Sequence, residues 1–120
     1  MEVINIDEIE VCMLGDGKTG TLRRIRKVFT SKNMRFHVGV LPPKQASSRH
    51  SHLNSEEIVY VVKGRGKVTA GDETREYGPN TLIFIPVGVP HQYFNTGDGE
   101  MVLLAIYSPP TELPGKETSS

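Results

Sequence analysis

Glycine and proline interrupt this chain at short intervals, which limits what it can fold into. The 120 residues include 12 glycines and 8 prolines, and both residue types disfavour the interior of a long helix. No window has the i, i+3, i+4, i+7 spacing of an amphipathic helix. Short β-rich runs separated by turns about every 8–12 residues predict an all-β sandwich or barrel. The predicted strand segments are MRFHVGVL (34–41), EIVYVVKG (57–64), KVTA (67–70), TLIFIP (81–86), HQYFN (91–95) and MVLLAIY (101–107).

Two of these segments carry further information. Residues 58–62, IVYVV, are apolar at every position, which predicts a strand that is covered on both sides. Such a strand either lies in the centre of the barrel or forms part of a dimer interface. Residues 67–77, KVTAGDETREY, predict a β-hairpin with Gly71 and Asp72 at its tip, where a positive φ is easily reached.

Length and composition predict one domain that spans residues 1–108. A chain of this size can bury a core without disulfides, and its single cysteine, Cys12, cannot form an intramolecular bridge. The 14 basic and 14 acidic side chains balance, which disfavours nucleic-acid binding through overall charge. No signal peptide or membrane span is recognisable, so we expect a soluble, cytoplasmic protein. Residues 109–120 have little apolar surface and are predicted to form a disordered tail.

Histidines and acidic residues concentrate in HSHLNSEE, residues 50–57. His50 and His52 are separated by one residue, so both side chains leave the same face of an extended strand. Asn54 and the serine after it favour a turn, which would bring Glu57 back beside the histidines. We therefore predict that two imidazoles and one carboxylate lie close together.

The segment PVGVPHQYFN, residues 86–95, presents a third histidine. Pro86 and Pro90 fix φ, and Gly88 permits a backbone conformation that is closed to most other residues. The rigid turn would aim His91 reproducibly, as a coordinating group requires. Three histidines and a carboxylate make a mixed nitrogen and oxygen donor set, which suits Fe, Mn, Ni, Cu, Co or Zn better than Ca or Mg.

Both segments resemble signatures of the cupin superfamily. Residues 50–64 match His-x-His, four residues, Glu, six residues, Gly, and residues 86–95 match Pro-x-Gly, two residues, His, three residues, Asn. By this spacing the family's glutamate falls on Glu57 and not on Glu56. The family usually has glycine six positions before the proline, where this chain has Asn80. Because asparagine tolerates a left-handed conformation better than most residues, we expect the turn to persist.

The resemblance implies a double-stranded β-helix, also called a jelly-roll barrel, with one divalent transition-metal ion inside its mouth. It assigns metal binding to His50, His52, Glu57 and His91 and assigns no catalytic residue. It also implies a homodimer, in agreement with the apolar strand at 58–62. A small organic molecule would occupy the open positions on the ion. The expected function is a dioxygenase-like Fe or Mn enzyme; the alternatives are a non-redox isomerase or lyase for sugars or keto acids, and a ligand-binding sensor without catalysis.

Other residues give weaker indications of a role in binding. Arg35 and His37 share a strand face and Tyr93 has the strand parity of His91, so these three are candidates for a substrate pocket. For His37 the preferred interpretation is an ordinary strand histidine. Residues 21–29, TLRRIRKVF, contain four basic side chains, which favour a solvated strand face over an anion-binding role in substrate capture.

Overall fold

The computed structural model describes residues 1–111, which form nine β-strands in two antiparallel sheets after a short 3₁₀ helix, Ile6–Glu8. The strands are β1 (Val11–Gly15), β2 (Leu22–Thr30), β3 (Arg35–Leu41), β4 (Glu56–Lys63), β5 (Gly66–Ala70), β6 (Glu73–Tyr77), β7 (Thr81–Ile85), β8 (His91–Asn95) and β9 (Met101–Ser108). One sheet has the order β1-β2-β3-β9-β4-β7 and the other has the order β6-β5-β8. The predicted all-β class is confirmed. Within the described residues, no helix is long and apolar enough to cross a membrane.

The core lies between the two sheets, and strand alternation decides which side chains enter it. In β4, Glu57, Val59 and Val61 are at most 2% exposed, whereas Ile58 and Tyr60 are 40% and 39% exposed. β4 is an interior strand of its sheet, between β9 and β7, with an inner face in the core and an outer face in solvent. The prediction that this strand is covered on both sides is therefore wrong within a single chain, because Ile58 and Tyr60 on its outer face are exposed. The core cluster consists of Leu14, Ile25, Leu41, Val59, Val61, Val68, Tyr77, Ile85, Tyr93, Met101, Leu103, Ala105 and Tyr107.

Three turns show why particular residues stand between the strands. Gly71 has a φ of 59° at the tip of the predicted β5–β6 hairpin, and Asn80 has a φ of 61°, so it adopts the expected left-handed conformation. Gly64 follows β4 with a φ of 98°. A Cβ atom at Gly64 would lie 2.7 Å from the Cα atom of Met101, so this position needs glycine for both conformation and space.

The basic segment forms β2, and the expectation of a solvated face is wrong for one of its residues. Arg23 is only 6% exposed and points into the barrel on the face that also carries Ile25, which is fully buried. The side chains of Arg24 and Arg26 leave from the opposite face and are half-buried. Strand alternation, and not the charge of the segment, thus determines where the Arg23 side chain lies.

The described part of the chain ends at Thr111. Most of the predicted tail, 109–120, lies outside the described residues, so this prediction and the domain limit at 108 stay predictions. At the start of that segment, the carbonyl oxygen of Pro109 accepts a hydrogen bond from the Ser55 hydroxyl.

Candidate metal centre

The two histidine segments lie side by side and are joined through their backbones. The amide of His50 donates to the carbonyl of His91 at 3.0 Å, and the amide of His91 donates to the carbonyl of His50 at 2.7 Å. The amide of Gly88 donates to the carbonyl of His52 at 2.9 Å, from a turn in which Gly88 has a φ of 76°. The rigid turn predicted before His91 therefore lies directly against the His-x-His segment.

Four side chains from these segments and from β4 converge in one buried cluster. Their candidate ligand atoms all lie within 4.8 Å of one another, and none of the four residues is more than 9% exposed. The rings of His50 and His91 have centroids 4.3 Å apart. Glu57 enters from β4, after the chain bends at residues 53–54. The cluster consists of the four residues that the sequence predicted: His50, His52, Glu57 and His91.

Backbone carbonyl groups fix the orientation of two of the imidazole rings. Nδ1 of His50 lies 2.8 Å from the carbonyl oxygen of Ser48, and Nδ1 of His91 lies 2.8 Å from that of Val89. A carbonyl oxygen can only accept, so each Nδ1 carries a proton and Nε2 is the ring atom left to meet a ligand. Nε2 of His50 is buried and has no hydrogen-bond partner among residues 1–111.

The Glu57 carboxylate faces these nitrogen atoms. Its Oε1 atom lies 3.0 Å from Nε2 of His91 and 3.4 Å from Nε2 of His52. Because Nδ1 of His91 already donates to Val89, its Nε2 atom contacts the carboxylate either through a second proton or through a cation in that proton's place. A metal ion held by the carboxylate and the imidazole nitrogens meets the bonding needs of all these atoms at once. The cluster is therefore consistent with a single bound metal ion.

The electrostatics of the cluster keep its groups in metal-binding forms. Burial alone would raise the pKa of Glu57, but hydrogen bonding to His52 and His91 outweighs burial and lowers this pKa to about 2. Burial, assisted by the neighbouring His91, lowers the pKa of His50 to about 3. At neutral pH the cluster thus offers a carboxylate and a neutral imidazole, as metal binding requires.

A cavity of ≈ 20 Å³ adjoins Glu57 inside the barrel. Tyr93 lines it and donates its hydroxyl to Oε2 of Glu57 at 3.2 Å. Tyr107 lines it as well, and the centroid of its ring lies 4.5 Å from that of His52. Burial raises the pKa of both phenols well above the ordinary value, so both keep their protons. A larger cavity of ≈ 260 Å³ lies at β5, β6 and β7, and the described residues that line it include none of the cluster.

Two of the three predicted pocket residues line this cavity. His37 lines the cavity and is 3% exposed, and Tyr93 lines it as described above. Burial and the nearby Arg23 lower the pKa of His37 to about 3, so its ring is neutral. Arg35 is half-buried at the start of β3 and is not among the described residues that line the cavity.

Two residues at the cavity were not identified from the sequence. Arg23 and Tyr107 both line it, together with Glu57. The available signal was strand parity. Arg23 is two residues from the buried Ile25 in β2, and Tyr107 is two residues from the buried Ala105 in β9, so each pair shares one face of its strand.

Comparison with known proteins identifies the family. The family model described as the cupin domain matches residues 37–107, more than half of the chain. The chain belongs to the cupin family. This cupin is 34% identical over 71 residues to an uncharacterized protein of Methanocaldococcus jannaschii, and the match spans 59% of this chain but only 57% of that protein. It is 31% identical over 107 residues to the polyketide synthase CurC of Streptomyces cyaneus, covering 89% of this chain and 69% of CurC.

Solved structures of other proteins share the fold. The crystal structure of a predicted oxalate decarboxylase from Thermotoga maritima has a TM-score of 0.80 against this cupin, with 21% identity over 89% of this chain and 98% of that one. The KdgF structure from a Halomonas species has a TM-score of 0.78 at 17% identity, over 93% of this chain and 96% of that one. The predicted jelly-roll barrel is confirmed, and the low identities limit these comparisons to the fold.

Proposed function

We propose that this cupin is a metal-dependent enzyme that acts on a small organic molecule, with dioxygenase-like chemistry on Fe or Mn. The observation that supports this proposal most directly is the arrangement of His91 and Glu57. Nε2 of His91 and Oε1 of Glu57 lie 3.0 Å apart in a buried site, with the ring of His91 held by a carbonyl group on its other side. A bound cation satisfies both atoms, whereas apolar packing satisfies neither.

In this proposal His50, His52, Glu57 and His91 hold one divalent transition-metal ion. Four protein ligands on an ion that accepts five or six leave one or two positions, which a chelating substrate can occupy. A redox-active ion would supply the electron transfer that oxidation of the substrate by dioxygen requires.

The surrounding residues orient these ligands and keep water away from them. The carbonyl groups of Ser48 and Val89 fix the rings of His50 and His91. The Tyr93 hydroxyl engages Oε2 of Glu57 and so turns Oε1 towards the histidines.

One observation supports the alternative of non-redox isomerase or lyase chemistry. His37 is neutral, lines the cavity beside Glu57, and its Nδ1 atom is buried with no hydrogen-bond partner among the described residues. An imidazole with an unused ring nitrogen can hydrogen-bond to a substrate that is polarised by a metal ion while a proton is transferred. Proton transfer of this kind is needed to isomerise a sugar or a keto acid and is not needed for oxygen chemistry.

Elemental analysis of protein purified without added metal tests the proposed centre. We expect about one transition-metal ion per chain, and we expect His52→Ala to lose it because one of four ligands is removed. His37→Gln is the matched control, since this buried histidine lies outside the cluster and should leave the metal content unchanged. Full metal occupancy in His52→Ala would contradict the ligand assignment.

Oxygen consumption distinguishes the candidate functions. Iron or manganese with substrate-dependent oxygen uptake supports the dioxygenase proposal. Zinc, together with turnover that does not consume oxygen, supports the isomerase or lyase. If small molecules raise the melting temperature and no turnover is detected, a binding or sensor role is supported.

A further inference from the structure

The guanidinium group of Arg23 is a buried cation, and one of its nitrogen atoms makes no hydrogen bond within the described residues. Arg23 is 6% exposed, and its Nη2 atom has no hydrogen-bond partner among residues 1–111. No carboxylate within that part of the chain forms an ion pair with it. Burying a charged group without a partner costs several kcal/mol. Such an atom in a folded protein therefore calls for a ligand that the protein itself does not provide.

Arg23 lines the same small cavity as Glu57, His37 and Tyr107. Burial lowers the pKa of Arg23 and the charge of Glu57 acts to raise it, but the two side chains form no direct ion pair, and the carboxylate instead contacts Tyr93 and the histidines. Once Glu57 binds a cation, the negative charge nearest to Arg23 is neutralised. The cavity is then positively charged, which favours an anionic group.

The other polar groups around the cavity can donate hydrogen bonds to an anion. The phenol of Tyr107 lines the cavity and offers an O–H donor. His37 is neutral and carries one N–H group. A guanidinium group, a phenol and an imidazole thus line one cavity together with the candidate metal ligand Glu57.

We infer that Arg23 binds the carboxylate group of a small ligand that also reaches the metal, so that the substrates of this site are small organic acids. This inference rests on the proposed metal centre. The planar guanidinium group matches the two oxygen atoms of a carboxylate. The cavity of ≈ 20 Å³ holds about one or two water-sized groups. A single carboxylate group is of about this size, so only that end of the ligand has to enter the cavity.

Lactate and its neutral amide, lactamide, provide the test because they have nearly the same shape and differ in charge. Binding of each is measured by calorimetry on Co²⁺-loaded protein, for the wild type, Arg23→Met and Arg24→Met. Arg24 is the matched control, since it is the next residue of the strand, faces outward and pairs with Glu100. We expect Arg23→Met to weaken lactate binding by about 10- to 100-fold, the loss expected for charge-assisted hydrogen bonds. Arg23→Met should change the affinity for lactamide little. Arg24→Met should bind both compounds with nearly the affinity of the wild type.

Two results would overturn the inference. One is equal affinity of the wild type for lactate and lactamide. The other is unchanged lactate affinity in Arg23→Met. A purely structural Arg23 would alter the melting temperature and leave the ratio of the two affinities unchanged. If Arg23→Met does not fold, as judged by circular dichroism, Arg23→Gln replaces it with the same expectations.

Metal content, measured first, separates this inference from the proposed function. If the wild type binds no Co²⁺, the metal proposal fails. Anion binding is then measured on metal-free protein as the change in melting temperature that formate causes. A shift in the wild type and in Arg24→Met that is absent in Arg23→Met supports the role of Arg23. A shift of equal size in all three, or in none, contradicts it.

Discussion

At the scale of single residues, Glu57 carries a negative charge at a position that is 2% exposed. The charge is tolerated because Tyr93 donates a hydrogen bond to one carboxylate oxygen and two histidines face the other. Removal of any of these neighbours would leave a buried charge that is poorly compensated. Substitution of these neighbours is therefore expected to lower the stability of the metal-free protein.

His37 predicts how the stability of the metal-free protein depends on pH. Burial and Arg23 lower the pKa of His37 to about 3, whereas in the unfolded chain it is about 6.5. As the pH falls below 6.5, the unfolded state binds a proton that the folded state does not bind. The free energy of unfolding contributed by His37 is thus complete above that pH and falls by up to about 1.4 kcal/mol per pH unit until the folded pKa is reached.

His37→Gln tests this contribution. Urea unfolding in the presence of a chelator, near pH 7 and near pH 5, gives the difference in free energy of unfolding for the wild type and the variant. The pKa of the buried His50 is also lowered, so His50 contributes a pH dependence of stability in the same direction, and it remains in both proteins. The variant should therefore lose only part of the pH dependence of the free energy of unfolding. An identical pH dependence in the two proteins would show that His37 is not held neutral by burial.

The four cluster residues were predictable because their spacing encodes geometry. His50 and His52 share a face by alternation, and a turn brings Glu57 back to them. The burial of Arg23 was not predicted because its segment is rich in basic residues, and a segment with this much charge usually faces solvent. Its burial depends on which face of β2 meets the barrel interior, and this is decided by tertiary packing.

At the scale of strands and turns, glycine has a different role at Gly64 than at Gly88. Both have positive φ angles, 98° and 76°. A Cβ atom at Gly88 would meet no atom within 4 Å, whereas one at Gly64 would lie 2.7 Å from the backbone of Met101. Gly88→Ala should therefore cost only the backbone strain, about 1–2 kcal/mol.

Gly64→Ala should cost about 1–3 kcal/mol more than Gly88→Ala, because the strand that contains Met101 must also move. Chemical denaturation of the two variants under the same metal-free conditions measures the difference. Gly88→Ala thus serves as the control for strain, and the excess in Gly64→Ala isolates the effect of close approach. Equal destabilisation of the two variants would contradict the close contact between the end of β4 and the start of β9.

Most strands were predictable because turn residues bound them and apolar residues alternate within them, as in HQYFN, residues 91–95. β1 was not predicted. Its sequence VCMLG has one buried side chain, Leu14, and gives little alternation to detect. The strand forms because it pairs with β2 at the edge of the larger sheet, an interaction between distant residues that a local pattern does not contain.

At the scale of the whole molecule, the outer face of the six-stranded sheet is apolar and exposed. Ile58 pairs with Ile106 on one side and with Phe84 on the other, and Tyr60 pairs with Leu82. Leu82 and Phe84 are 61% and 49% exposed. A contiguous apolar surface of this kind is typical of protein–protein contacts. The net charge of zero removes repulsion between copies, and we propose that this face joins two copies in a homodimer.

Size-exclusion chromatography with light scattering tests this proposal. The wild type should elute as a dimer, and Leu82→Glu combined with Phe84→Glu should give a monomer, because four carboxylates would enter the interface of each dimer. Val87→Glu is the control, since Val87 is 52% exposed and lies in a turn outside this face. A wild type that is monomeric at all concentrations would contradict the interface.

The reciprocal backbone hydrogen bonds between His50 and His91 bear on when an ion can enter. The two segments are far apart in the chain and meet only once the barrel has closed, so a partly folded chain presents an incomplete set of ligands. We expect metal loading to follow folding and not to guide it. Escape of the ion would require local opening of the paired segments, so the residence time of the ion should depend on how often this end of the barrel opens.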